Sequence, residues 1–246
     1  MNSTRRIAIT AGALFILATV SSLTAAALLP TLTGAGYLTG VANHSDKVAT
    51  ASLLYLIAAA GSVGIAVAIY PVLKQLDAAL ALGSVVFRTV EAVFYTAGVV
   101  SLLSILSIGQ KSATASATDR AAYEAIGDSL VAAREHAAVA AVLAFSIGAL
   151  MYYLVFYRSR LIPRWLSGWG IAAMPLMMIA CLLALFNDSP VTGYVLLALP
   201  IGVQEMVFAV WLLVKGFRPT ARPPSVSAAS PTTTTAVSGG TIEPTV

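Results

Sequence analysis

The sequence predicts an all-α fold, a polytopic membrane helix bundle with about six transmembrane helices and both termini in the cytoplasm. Composition is the first observation, because 59% of the residues are hydrophobic and only 10% are charged. The second is the length of the apolar runs, since a helix needs roughly 20 apolar residues to cross a hydrocarbon core about 30 Å thick. The third is the uneven distribution of lysine and arginine between the loops, which predicts the orientation.

Six segments have the length and composition of a membrane span. They are expected to be helices because hydrocarbon offers backbone amides no outside partner, and because the runs lack the alternation of a membrane barrel. The predicted spans cover residues 7–29, 48–70, 80–108, 130–157, 165–186 and 191–214. Residues 1–217 are therefore predicted to form one transmembrane domain. Residues 218–246, rich in Pro, Thr and Ser, are predicted to form a disordered cytoplasmic tail.

Two polar segments between the spans, residues 30–47 and 109–129, are predicted to be outer loops. In the second loop, Ser116 and Asp119 have the spacing of a capping box, which marks the start of a helix. Gly127-Asp128 is predicted to break the chain just before the fourth span.

The cationic side chains outside the spans divide nine to three between the two sides of the bundle. The positive-inside rule places the larger group in the cytoplasm. That group comprises Arg5, Arg6, Lys74, Arg158, Arg160, Arg164, Lys215, Arg218 and Arg222, and the smaller group comprises Lys47, Lys111 and Arg120. Because short loops next to the membrane carry these charges, we expect them to contact membrane lipid and not nucleic acid.

An intramembrane polar cluster is predicted near the middle of the bundle. Arg88 and Glu91 share one face of the third span, which Tyr95 continues, and Glu205 lies beside Gln204 in the sixth span. Counted inward at about 1.5 Å per residue, Arg88 and Glu91 are about 12–16 Å deep and Glu205 is about 13 Å deep. We therefore expect these three ionisable side chains to meet in one layer.

The cluster contains two carboxylates and one guanidinium. A lone charge at the centre of a bilayer costs about 2.5–3.5 kcal/mol, so the side chains should pair across the bundle. We hypothesise that one glutamate holds a proton near neutral pH, because desolvation and a like charge both disfavour a second negative charge. A purely structural role, fastening the helices, stays open beside a substrate or ion site. Pro200 predicts a helix kink close to this layer, and transporters place binding groups at interrupted helices.

A second polar group, Arg134, Glu135 and His136, is predicted on the outer face at the end of the fourth span. His44 and Asp46 lie in the outer loop on the same side of the membrane. Together these residues offer metal-ligating atoms, but the chain has only two histidines and no recognisable ligand spacing. We therefore expect helix-end pairing and solvation here, with no metal and no other cofactor.

Four segments together resemble a bacterial membrane-protein family of unknown function, the DUF4386 family. They are YPVLK at 70–74, FRTVEA at 87–92, RLIPRWLS at 160–167, and LP through QEM to WLLVKGF within 199–217. The resemblance covers residues 5–217. It implies a six-helix protein of the bacterial inner (plasma) membrane in which Arg88, Glu91, Gln204 and Glu205 are family features, and it implies no established activity.

The sequence is compatible with three functions. A small proton-linked transporter, in which Glu91 and Glu205 exchange a proton and Arg88 balances charge, predicts a water-accessible cavity that reaches the polar layer. A membrane enzyme acting on a lipid or isoprenoid, with either glutamate as general base and Arg88 holding an anionic head group, predicts a cavity open sideways to lipid. A non-catalytic membrane partner or regulator predicts a dry, closed and fully paired layer.

The transporter is the preferred interpretation, because it uses the predicted kink and the shared depth of the cluster together. No nucleotide-binding loop, serine elbow or other catalytic motif is found in the sequence, which favours a role other than catalysis. The small-molecule substrate, and the pairing of the chain with a second copy of itself, are left open.

Overall fold

A computed structural model describes residues 3–187 and 189–218. In that part of the chain it contains six long apolar helices and no strand, which confirms the predicted all-α, six-span membrane bundle. The elements are α1 (Ser3–Leu28), α2 (Tyr37–Asn43), α3 (Ser45–Leu73), α4 (Ala78–Ala113), α5 (Ala117–Ser159), α6 (Arg164–Phe186), a 3-10 turn (Val191–Tyr194) and α7 (Val195–Val214). The predicted disordered tail lies, apart from Arg218, outside the described residues, so the tail and the domain boundary at 217 stay predictions.

The polar segments between the spans contain more helix than predicted. Residues 30–47 include the short helix α2, and residues 109–129 are not a loop, because α4 continues to Ala113 and α5 begins at Ala117. The predicted cap is present at the start of α5. The Ser116 hydroxyl accepts a hydrogen bond from the Asp119 N–H at 3.3 Å and donates one to the Asp119 carboxylate at 2.7 Å.

The predicted chain break at Gly127-Asp128 is wrong, since both residues lie inside α5. A side chain at position 127 would collide with Tyr37 and Leu38 of α2. The glycine therefore leaves room for the Tyr37 side chain beside α5, while α2 itself packs mainly against α4. A glycine in a helical sequence can indicate a turn or a close contact. Here it indicates a close contact.

The six spans form a ring in chain order. Each of α1, α3, α4, α5 and α6 packs against the span that follows it, and α7 packs against α1. Because the number of spans is even, α1 begins and α7 ends on the same side of the ring. We call this side the terminal face and the opposite side the distal face.

The contact between α1 and α7 closes the ring. A Cβ atom on Gly12 of α1 would lie 2.8 Å from the carbonyl oxygen of Ala209 and 2.9 Å from Cγ of Leu213, so the helices approach to a distance that needs glycine. Arg5 adds a polar contact, because its guanidinium donates to the carbonyls of Leu212 at 2.9 Å and Leu213 at 2.6 Å. These carbonyls belong to the last turn of α7, where no helical N–H follows to bond them.

An aromatic layer fills the terminal half of the ring. Phe208 of α7 lies edge-on to Phe15 of α1 and to Phe156 of α5, with ring centroids 5.3 and 5.5 Å apart. Tyr152 and Tyr153 of α5 lie beside them, and all five side chains are at most 1% exposed. We call these five residues the aromatic barrier, because they lie between the ring centre and the terminal face.

The Gly12→Ala variant should be less stable than the wild type by about 1 kcal/mol. Overpacking a tight contact costs about 1–3 kcal/mol, while replacing a helical glycine with alanine returns up to about 1 kcal/mol. Gly202→Ala is the matched control, because a Cβ there meets no atom of the described residues within 4 Å. Thermal unfolding in detergent micelles measures both, and equal melting temperatures for the two variants would contradict the tight closure of the ring.

Candidate functional site

Arg88 and Glu91 form an ion pair on the inner face of α4. Residues three apart in a helix are neighbours on its surface, and here Nη1 of Arg88 lies 3.1 Å from Oε2 of Glu91. Ser62 of α3 donates its hydroxyl to the same carboxylate oxygen at 2.8 Å. The guanidinium also lies over the ring of Phe145 of α5, 4.8 Å from its centroid. Three helices therefore position the pair.

Glu205 reaches the same place from α7. Arg88, Glu91 and Glu205 together line one cavity of about 190 Å³ at the centre of the ring. The Tyr152 hydroxyl donates to Oε1 of Glu205 over a long distance, 3.5 Å, and Glu205 makes no ion pair within 4.0 Å to any described residue. The structure thus brings together the three ionisable residues that the sequence placed at one depth.

The cluster is not fully paired. Nε and Nη1 of Arg88 are buried and have no hydrogen-bond partner among the described residues, so the 3.1 Å approach to Glu91 is a charge contact without hydrogen-bond geometry. A buried charged donor without an acceptor is costly. The cavity has room for several waters, since one needs only about 10–15 Å³ of such volume. The layer therefore contains buried donors without a partner in the described part of the chain, and space beside them.

Gln204 belongs to a different contact from its neighbour Glu205. It is fully buried, and its Oε1 accepts the hydroxyl of Tyr153 at 2.5 Å while its Nε2 donates to the carbonyl of Leu166 at 3.0 Å. Gln204 does not line the cavity. Its bonds fasten α7 to α5 and α6, so the two adjacent polar residues of the sixth span point to different neighbours.

Polar side chains continue from the cavity towards the distal face. Tyr95, one turn beyond Glu91, shares a 2.8 Å hydrogen bond with Ser22 of α1, and both residues line the cavity. Tyr55 of α3 packs edge-on against Tyr95 with ring centroids 5.7 Å apart, and the guanidinium carbon of Arg134 lies 5.9 Å from the centroid of Tyr55. We call Ser22, Tyr55, Tyr95 and Arg134 the distal polar path.

The outer-face group predicted from the sequence is divided in the structure. Arg134 lies against Tyr55, whereas Glu135 is half-buried and His136 is exposed. His44 is exposed as well. Within residues 3–187 and 189–218, no three His, Cys, Asp or Glu side chains lie close enough together to hold a metal ion.

Pro200 lies inside α7, which is assigned as helix without a break from Val195 to Val214. Proline has no N–H, so the carbonyl of Leu196, four residues earlier, lacks its helical partner. The kink predicted at Pro200 stays a prediction.

No site role was assigned from the sequence to four side chains that complete the site, namely Ser22, Ser62, Phe145 and Tyr152. Each lies in an apolar span without a motif. One signal was available, because a buried tyrosine hydroxyl usually needs a hydrogen-bond partner. The adjacent residues Tyr152 and Tyr153 of one span contact Glu205 and Gln204, which are adjacent in another.

Arg88→Met should destabilise the folded protein by about 3–5 kcal/mol, because it leaves carboxylates in the bundle without their cation. Adding Glu91→Gln should recover part of this loss, since the uncompensated charge is then removed as well. Arg134→Met, on the distal polar path, is a control expected to cost about 1 kcal/mol or less. Unfolding in detergent at neutral pH measures all three, and a double variant less stable than Arg88→Met would contradict the pairing.

Comparison with known proteins identifies the family of the chain. Residues 10–216 match the model of the family described as Domain of unknown function (DUF4386). No curated protein and no solved structure gives a significant match. The matched region contains the whole Arg88, Glu91 and Glu205 cluster and reaches from the first span to the end of the last. This protein is therefore a multi-pass membrane protein that belongs to the DUF4386 family.

Proposed function

We propose that this protein is a small proton-linked transporter in which Glu205 binds and releases the coupling proton. The observation that carries the proposal is the central cavity, where one guanidinium and two carboxylates meet. With both glutamates ionised, the +1 of Arg88 and the −2 of the glutamates give the cluster a net charge of −1. Because net charge is costly inside a membrane, a proton or another cation is favoured in the cavity.

Glu205 is better suited than Glu91 to exchange the proton. The carboxylate of Glu91 is held by the Arg88 guanidinium and by the Ser62 hydroxyl at 2.8 Å. Glu205 has only the 3.5 Å contact from Tyr152. Because the charged form of Glu205 has fewer favourable contacts, protonating Glu205 costs less free energy than protonating Glu91. We therefore assign the mobile proton to Glu205 and regard Glu91 as the fixed partner of Arg88.

The two ends of the cavity differ in a way that suits transport. On the distal side, two members of the distal polar path, Ser22 and Tyr95, form part of the cavity wall. On the terminal side, the aromatic barrier is fully packed. In the proposed cycle the proton would reach Glu205 along the distal polar path, while the aromatic barrier separates the cluster from the terminal face.

The charge of the cavity favours a small monovalent cation as the transported solute. Such an ion can replace the proton on Glu205 and leave the cluster neutral. The aromatic ring of Tyr95 in the cavity wall also suits a cation, because ring faces attract positive charge. The resulting activity is an exchange of one proton for one cation.

The same proposal includes the location and orientation. We place the protein in the plasma membrane with the terminal face in the cytoplasm. Support comes from the nine-to-three division of cationic residues between the loops, which follows the positive-inside rule. The distal polar path then faces the outside of the cell.

A second candidate function, an enzyme acting on a membrane lipid, is favoured by one observation. Leu23 of α1 lines the cavity although its side chain is 66% exposed, so the cavity comes close to the lipid-facing side of α1. In that case Arg88 would hold an anionic head group and Glu205 would act as general base. Chemical change in lipids incubated with the wild type, absent with Glu205→Gln, distinguishes this function from ion exchange.

Glu205→Gln should abolish proton flux in liposomes that enclose a pH-sensitive dye. A gradient of Na⁺, K⁺ or methylammonium is imposed across the membrane. In at least one of these gradients, the wild type is expected to move protons in the direction opposite to the cation. Glutamine keeps the size of the side chain but cannot release a proton. Glu124→Gln, at an exposed position of α5 outside the cavity, is the matched control and should retain the flux.

Two outcomes would contradict the transporter. The first is a folded wild type that moves no protons in any of the three gradients. The second is equal flux in the wild type and in Glu205→Gln, which would show that the proton does not pass through this carboxylate.

A further inference from the structure

A second cavity lies on the terminal face, away from the central cluster. It has a volume of about 430 Å³, within the range of ligand-binding pockets. Four separate parts of the chain form its walls: the start of α1, the end of α3 with the following turn, the connection between α5 and α6, and residues 215–218 after α7. We call it the terminal cleft.

The terminal cleft is cationic. Arg5, Lys215 and Arg218 line it, and no Asp or Glu is found among the described residues of its wall. The nearby carboxylate of Asp77 is already used, because it accepts the N–H of Leu80 at 3.0 Å and caps α4. Three positive charges without a balancing carboxylate indicate a ligand that is an anion.

The Arg5 side chain and the backbone that carries Lys215 and Arg218 are held in place by bonds that do not depend on a ligand. Arg5 is fixed by the carbonyls at the end of α7. Gly216, with a φ angle of 70°, turns the chain back, and the N–H of Arg218 then donates to the carbonyl of Leu161 at 2.8 Å. Phe217 stacks on Phe156 with ring centroids 5.8 Å apart. This turn directs residues 215–218 to the cleft.

The position of the cleft identifies the kind of anion. It lies where the spans end, at the level of lipid head groups, and Lys215 has its ammonium 5.0 Å from the ring centroid of Trp211, an aromatic residue type enriched at this level. The wall also contains apolar residues, among them Ile7, Val72 and Leu76. A charged rim with apolar walls matches a phosphate ester that is attached to a hydrophobic chain.

We infer that the terminal cleft binds the phosphodiester head group of an anionic membrane lipid. Arg5, Lys215 and Arg218 bind the phosphate, and the apolar wall contacts the glycerol and the first carbons of the acyl chains. The site is independent of the proposed proton-linked function. It would favour a membrane environment that contains anionic lipid. Free inorganic phosphate shares the anionic chemistry but cannot use the apolar wall.

The test is a titration of the detergent-solubilised protein with dioleoylphosphatidylglycerol, read by native mass spectrometry as the fraction with bound lipid. The variant Lys215→Gln with Arg218→Gln should bind about 25-fold more weakly, since each cation near an anionic lipid contributes about fivefold. Arg6→Gln with Lys74→Gln removes the same charge from the same face outside the cleft and should bind like the wild type. Lys215→Arg keeps the charge and should also retain binding.

Other outcomes overturn the inference. Equal weakening in the two double variants would show a general effect of charge and no site. Zwitterionic dioleoylphosphatidylcholine binding as tightly as phosphatidylglycerol would remove the role of the anion. Displacement of the lipid by millimolar inorganic phosphate would show that the cleft recognises free phosphate and not a lipid.

Discussion

The ion pair of Arg88 with Glu91, together with the extra carboxylate of Glu205, is the arrangement on which the account depends. Hydrocarbon gives a polar group no partner, so every charge in a span must be satisfied by the bundle or by what the bundle admits. Here one guanidinium faces two carboxylates in a cavity of about 190 Å³. With both glutamates ionised the enclosed charge is unbalanced, and the proposed mobile proton or cation would balance it.

The side chains next to the cluster differ in kind between the terminal and the distal side. In the terminal half, Gly12 lets α1 and α7 touch, and the aromatic barrier fills the ring. Towards the distal face, hydroxyl groups and the side chain of Arg134 continue from the cluster. In the proposed transporter, the distal polar path would admit the proton and the aromatic barrier would stop it.

Much of the fold was predictable because hydrocarbon imposes a simple rule of length and apolarity on each span. The depth of Arg88, Glu91 and Glu205 followed from the constant rise of a helix, and the structure places these residues in one cavity. The spacing of residues along a helix gives their depth, but it does not show which neighbouring span each side chain faces. For that reason Gln204 was grouped with the cluster and Tyr152 was missed, and the helical ends of α4 and α5 were mistaken for a polar loop.

The most direct measurement is the side from which the cavity can be reached. The background is Cys181→Ala, and Thr114→Cys is an exposed marker at the distal end of α4. A membrane-impermeant maleimide should label Ser22→Cys when it is added on the side from which it labels Thr114→Cys. Phe15→Cys, in the aromatic barrier, should react from neither side. Labelling of Ser22→Cys from the opposite side only, or of Phe15→Cys as readily as Ser22→Cys, would contradict a central cavity that opens to the distal face.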